Sequence, residues 1–130
     1  ARCNFCPHSS MKRKPQSIDE RLWIKMLSEI SNWQVLPQRI LPFLTNEPFF
    51  DKEIIRRCND IYNFVPSALI DFYTIGALFT PKVIEGLSNL KNLGSITISL
   101  HHSDPFNYSL TTGLNLEKTV TSIKLLLDSG

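Results

Sequence analysis

The sequence predicts an α/β fold built on a parallel sheet. Strand-like apolar runs start near residues 39, 68 and 95, at separations of 29 and 27 residues. Each is followed by a stretch whose apolar residues recur at helical spacing. Turn formers punctuate the junctions. Strands alternating with helices at this interval imply right-handed crossovers and adjacent parallel strands, either doubly wound or barrel-like. At 130 residues the chain amounts to one domain or a piece of one, long enough to bury roughly two-thirds of its unfolded surface.

Residues 7–16 are polar and basic, with Pro7 and Pro15 as breakers, and read as a loop. Ser17 and Glu20 form a capping box that opens a helix over 18–32. Ile18, Leu22, Trp23, Met26, Leu27, Ile30 and Trp33 line its apolar face, which places both tryptophans in the core. Residues 39–44 read as a buried strand, against which Pro42 counts because it removes a ladder donor. Asp51 caps a second helix that carries Ile54, Ile55, Cys58, Ile61 and Tyr62 on one face. Within that stripe Cys58 reads as a small buried hydrophobe.

The next strand covers 68–73 and ends at Thr74-Ile75-Gly76. Thr80-Pro81 starts a helix, an N-cap followed by proline at the first helical position, with Val83, Ile84, Leu87 and Leu90 inward. Gly94 terminates that unit, and β-branched residues mark a strand over 95–100. A polar loop from His101 to Gly113 leads to a last helix with Leu116, Val120, Ile123 and Leu127 inward, stopped by Asp128-Ser129-Gly130.

Composition narrows the function classes. A net charge of +2 gives no general affinity for polyanions, so nucleic acid is not an expected partner. Arg2, Lys12, Arg13 and Lys14 form a local basic cluster, either a solvated loop or a contact for an anionic ligand or nucleic acid. No apolar run approaches the ~20 residues that span a bilayer, and no signal-peptide pattern is visible. An odd count of three cysteines argues against a disulfide-stapled secreted domain and suits a reducing cytoplasm, the expected location.

In parallel α/β folds, ligands bind at the carboxyl ends of the strands. That rule selects Thr45–Pro48, Thr74–Gly76 and Ser99–His102. It also selects the Cys3-x-x-Cys6 loop if a strand precedes it. On its own this cysteine pair is ambiguous. Zinc needs two further ligands at fitting spacing. A thioredoxin-like pair leads straight into a helix. An iron–sulfur site needs several thiolates. The histidines are similarly open: His101 and His102 suit proton donation or substrate contact, or merely line a polar loop, and His8 sits near the cysteines or in solvent.

Taken together, these stretches resemble the core domain of the radical S-adenosylmethionine (SAM) enzymes. Cys3-Asn4-Phe5-Cys6 matches the second half of the signature Cys-x3-Cys-x-aromatic-Cys, whose first cysteine would fall four positions before Cys3. Thr45-Asn46-Glu47-Pro48 occupies the place of a Gly-Gly-Glu-Pro turn and keeps Glu-Pro. Thr74-Ile75-Gly76 keeps the outer residues of a Thr-Asn-Gly turn, and Leu78-Phe79-Thr80-Pro81 continues as family members do. Ile98-Ser99-Leu100 matches the fourth strand, and Asp104 to Tyr108 through Thr112-Gly113 fits the lead into the next helix.

The resemblance implies a fragment of a partial (βα)6 TIM-like barrel, with residues 1–130 a partial core domain that lacks its first and last strands. It implies a [4Fe–4S] cluster and SAM as cofactors. Cys3 and Cys6 would be metal ligands, and Phe5 would lie by the adenine. Asn46 and Glu47 would meet the methionine amino end, with Glu47 also ordering the turn. Thr74 and Ser99 would offer hydroxyls to the ribose or methionine part. The implied reaction is reductive cleavage of SAM to a 5′-deoxyadenosyl radical that abstracts hydrogen from a peptide or small metabolite. The implied partner is an electron donor such as flavodoxin or ferredoxin. Two other classes stand beside it: a non-catalytic, barrel-derived binding module, and a small zinc-binding α/β protein.

Overall fold

The computed structural model describes residues 3–6, 12, 16–43 and 46–129. Three parallel strands, β1 (Arg39–Ile40), β2 (Leu69–Thr74) and β3 (Leu93–Ile98), lie side by side in chain order. The described residues also form helices α1 (Glu20–Ser31), α2 (Ile54–Phe64), α3 (Pro81–Ser88), α4 (Pro105–Thr112) and α5 (Leu116–Leu127), and one 3-10 turn at Pro48–Phe50. A doubly wound sheet reverses its strand order; the described strands do not. The core lies on one face, where Ile70 and Phe72 of β2 meet Trp23, Leu27, Ile54, Cys58, Ile61, Ile84 and Leu87 from the helices. Fully burying an aliphatic or aromatic side chain of this kind is worth about 1.5–3 kcal/mol.

Several elements begin or end elsewhere than their local sequence indicates. The capping group of α1 is Asp19, not Ser17. Its carboxylate accepts the N–H groups of Arg21 at 3.0 Å and Leu22 at 3.2 Å. An ionised acceptor beside the positive end of the helix dipole is the stronger cap. Glu20 instead pairs with Arg56 of α2 at 2.8 Å. The helix ends at Ser31, so Trp33 falls beyond it and is 57% exposed, whereas Trp23 is buried. The first strand is only two residues long. Pro42 has no ladder N–H to give, and Leu44 lies outside the described residues.

Asp51 lies three positions before the first residue of α2 and does not cap it directly. Its side chain accepts the Glu53 N–H at 2.9 Å and pairs with the buried Arg57 at 2.9 Å, and Glu53 is the N-cap. Thr80 caps α3 as expected, accepting the Val83 N–H at 3.3 Å. In α5, Leu116 is buried and Leu126 packs against the core, but Leu127 is exposed.

The segment expected as a loop from His101 to Gly113 contains α4. Asp104 caps it by accepting the Asn107 N–H at 2.8 Å, Pro105 opens it, and Gly113 ends it with φ 70°. Tyr108, fully buried, donates its hydroxyl to Thr119 of α5 at 3.2 Å and so fixes α4 against α5.

Gly94 lies inside β3 instead of terminating α3. Ile70 pairs with Leu93 but Asp71 pairs with Ser95, so Gly94 is the extra residue of a bulge. A Cβ at this position would come within 2.5 Å of the Asp71 Oδ1. The carboxylate occupies that space. It accepts the Ser95 N–H and hydroxyl at 2.8 Å each, and pairs with Arg39 on the opposite side. Strand β2 is thus tied to both neighbours through one acid on the face that the helices do not cover.

Two outcomes follow from this geometry. Gly94→Ala should force Asp71 or the bulge to move and lower the denaturant midpoint, at a cost of about 1–3 kcal/mol, the range for overpacked sites. Separately, the Arg39 guanidinium and then the Ser95 hydroxyl hold the Asp71 carboxyl below the usual carboxylate range. A depressed folded pKa adds stability that is complete above the unfolded value of about 3.9 and is lost as pH falls through the folded value. Asp71→Asn should therefore flatten the acid limb of stability against pH; an unchanged limb would show that Asp71 does not govern it.

Candidate functional site

The carboxyl ends of the three strands form one edge. At β1 the chain passes through Pro42 and Phe43 to the turn at Asn46-Glu47 and the buried Pro48. Glu47 reaches across to β2. One carboxylate oxygen accepts the Thr74 hydroxyl in a short hydrogen bond, and the other accepts the Ile75 N–H at 3.0 Å. The Thr74 oxygen in turn accepts the Gly76 N–H at 3.0 Å. A hydroxyl has one hydrogen to give, and that of the buried Thr74 is given to Glu47. Gly76 adopts φ 79°, and a Cβ there would lie 2.7 Å from Ile123 and 3.2 Å from Ile98. Both conformation and space at this turn call for glycine.

From β2 the edge continues into β3. The Ser99 N–H donates to the Thr74 carbonyl at 2.8 Å, which extends the ladder one residue past the strand. Two residues on, His101 meets the ring of Phe5 edge-on, with centroids 4.9 Å apart and planes at 68°. Phe5 belongs to a tight turn in which the Cys6 N–H donates to the Cys3 carbonyl at 3.1 Å. The Asn4 N–H, from the middle of that turn, donates to the Thr111 carbonyl of α4 at 3.0 Å. The cysteine turn is therefore seated at the carboxyl end of β3 and against α4.

Of the residues singled out in the sequence, Glu47 and Thr74 are bonded to each other, and Ser99 joins them through the backbone. Phe5 stands on His101, with Cys3 and Cys6 half-buried on either side of it in the turn. Asn46 is exposed. Thr45 and His8 lie outside the described residues. Cys58 is fully buried in α2, and burial pushes its thiol up to about 12. That matches its reading as a core residue and separates it chemically from the other two cysteines. Among the described residues, no three His, Cys, Asp or Glu side chains gather as a metal-holding group. Two cysteine sulfurs in one turn supply part of an iron–sulfur donor set, which needs further thiolates. Sequence reasoning did not find Thr111, whose carbonyl seats the turn. A backbone acceptor carries no residue-type signal.

No family model matches the sequence, and no curated protein does. Among solved structures, that of BtrN in complex with AdoMet and 2-DOIA is similar, with a TM-score of 0.61 at 22% identity. The match covers 91% of this chain and 48% of the other, so the chain spans about half the length of BtrN. This likeness shows the fold alone, an α/β architecture shared with that structure. None of the described helices is long and apolar enough to cross a membrane.

The Glu47 link is directly testable. Glu47→Ala leaves two buried or half-buried donors without an acceptor and should cost about 1–3 kcal/mol in denaturant unfolding. Thr74→Val should cost a similar amount. In the double variant the losses should fall short of their sum, by a coupling of about 0.5–3 kcal/mol. Strict additivity would mean that the two side chains act independently.

Proposed function

We propose that this chain is a core-domain segment of a radical SAM enzyme, with the strand-end edge as the cofactor site. The observation that carries this reading is the fold likeness to the AdoMet-bound BtrN, which extends over 91% of the chain. The seating of the Cys3–Cys6 turn at the same edge as Glu47, Thr74 and Ser99 agrees with it. A [4Fe–4S] cluster held there would supply one-electron reduction, the chemistry by which SAM would be cleaved to a 5′-deoxyadenosyl radical that abstracts hydrogen from substrate.

The chain's own residues hold and orient. Cys3 and Cys6 would contribute two of the thiolates, the soft ligands that iron–sulfur clusters require. Phe5 offers an aromatic face or edge beside an adenine, and its contact with His101 limits how far it swings. Glu47 fixes the 46–48 turn to β2, so that segment would meet the methionine end at a set distance from Ser99. The substrate is a peptide or small metabolite, and the electron comes from a flavodoxin- or ferredoxin-like donor.

The test uses the whole parent polypeptide, reconstituted anaerobically with iron and sulfide. A brown species and reduction-dependent formation of 5′-deoxyadenosine are expected. Cys3→Ala and Cys6→Ala should each abolish both while leaving the circular dichroism unchanged. Tight zinc without iron would favour the zinc-binding reading. A folded protein that takes up no metal would favour the non-catalytic module.

A further inference from the structure

We propose that Cys3 and Cys6 are also a modification site, forming a disulfide within their own turn when the chain meets an oxidant without metal. The geometry points to it. The Cys6 N–H to Cys3 carbonyl bond closes a four-residue turn, and such turns hold their first and last Cα atoms within about 7 Å. A disulfide spans Cα atoms about 4.4–6.8 Å apart. The turn is held from outside by Asn4 on Thr111 and Phe5 on His101, so the two cysteines stay neighbours. Both are half-buried and within reach of a small oxidant. Cys58 is fully buried and does not compete.

With oxidised glutathione as the oxidant, one cysteine sulfur attacks its S–S bond, releasing one glutathione thiol and leaving a mixed disulfide. The second cysteine then attacks the first cysteine's sulfur and releases the other glutathione. The two cysteines lose two electrons and two protons, and the oxidant becomes two thiols. Sulfur bound in a disulfide is no longer a thiolate ligand, so the oxidised turn and a metal-loaded turn exclude each other. That consequence rests on the proposed function; the disulfide itself does not.

The experiment treats the metal-free chain with oxidised glutathione, denatures it, and counts thiols. One thiol, from Cys58, is expected after oxidation and all three after reduction. The tryptic peptide spanning residues 3–12 should be lighter by two hydrogens. Cys3→Ser should trap Cys6 as a stable glutathione adduct, because no second thiol resolves it. Two reduced cysteines in that peptide after treatment, or a bridge to Cys58, would overturn the proposal. Iron uptake by the oxidised chain should begin only once a dithiol reductant is added. A disulfide that forms in a chain whose reduced state takes up no iron supports this site and counts against the proposed function.

Discussion

The Glu47 carboxylate is the point on which the carboxyl edge of the sheet depends. Strand β1 contributes only two paired residues, so main-chain bonds alone tie the segment after it weakly to β2. Glu47 replaces the missing ladder. Each of its oxygens takes a donor from the end of β2, one a side chain and one a backbone N–H. Those donors sit in a largely buried place, where an unmet hydrogen bond costs about 1–3 kcal/mol. The same bond orients the Thr74 oxygen toward Gly76, whose left-handed backbone then turns the chain toward α3.

A second acid acts on the other face. Asp71 joins Arg39 of β1 to Ser95 of β3 and fills the gap beside Gly94. Strand β2 is consequently fixed by a carboxylate at its middle and by another at its end, on opposite faces of the sheet. The apolar core sets which face the helices cover, but it does not set the spacing between strand ends. The two acids do that, and the cysteine turn and α4 are then built onto the end of β3. The candidate site thus lies largely in turns, which these bonds fasten to the ends of regular elements.

What was legible in the sequence is what local chemistry encodes. Thr80-Pro81 marked α3, an apolar run marked β2 and β-branched residues marked β3, and strand-end logic selected the stretches that hold Glu47, Thr74 and Ser99. Helix α4 escaped because it has eight residues and leaves Phe106 and Leu110 exposed, so its polar content outweighed a weak periodicity. Its signals were present in Asp104-Pro105 and Gly113. Trp33 was misplaced because apolar spacing continued past the point where the helix stops. The bonds from Glu47 to Thr74 and from Asp71 to Arg39 join residues 27 and 32 positions apart. No local pattern states them, and they determine how the site is held.

The face of the sheet away from the helices is mostly polar. All-parallel sheets covered on both sides show near-continuous apolar strands. Here the face away from the helices carries Arg39, Asp71, Tyr73, Ser95 and Thr97, with Leu69 the apolar member. Tyr73 is half-exposed, and Ser95 and Thr97 are exposed. A second helix layer packed on that surface would bury a salt bridge and several hydroxyls, each needing a partner. Asp71 is already buried and is met by Arg39 and Ser95, whereas Arg39, Tyr73, Ser95 and Thr97 stay open to water. The polar residues on that face argue against a second helix layer there, and the described strands keep chain order.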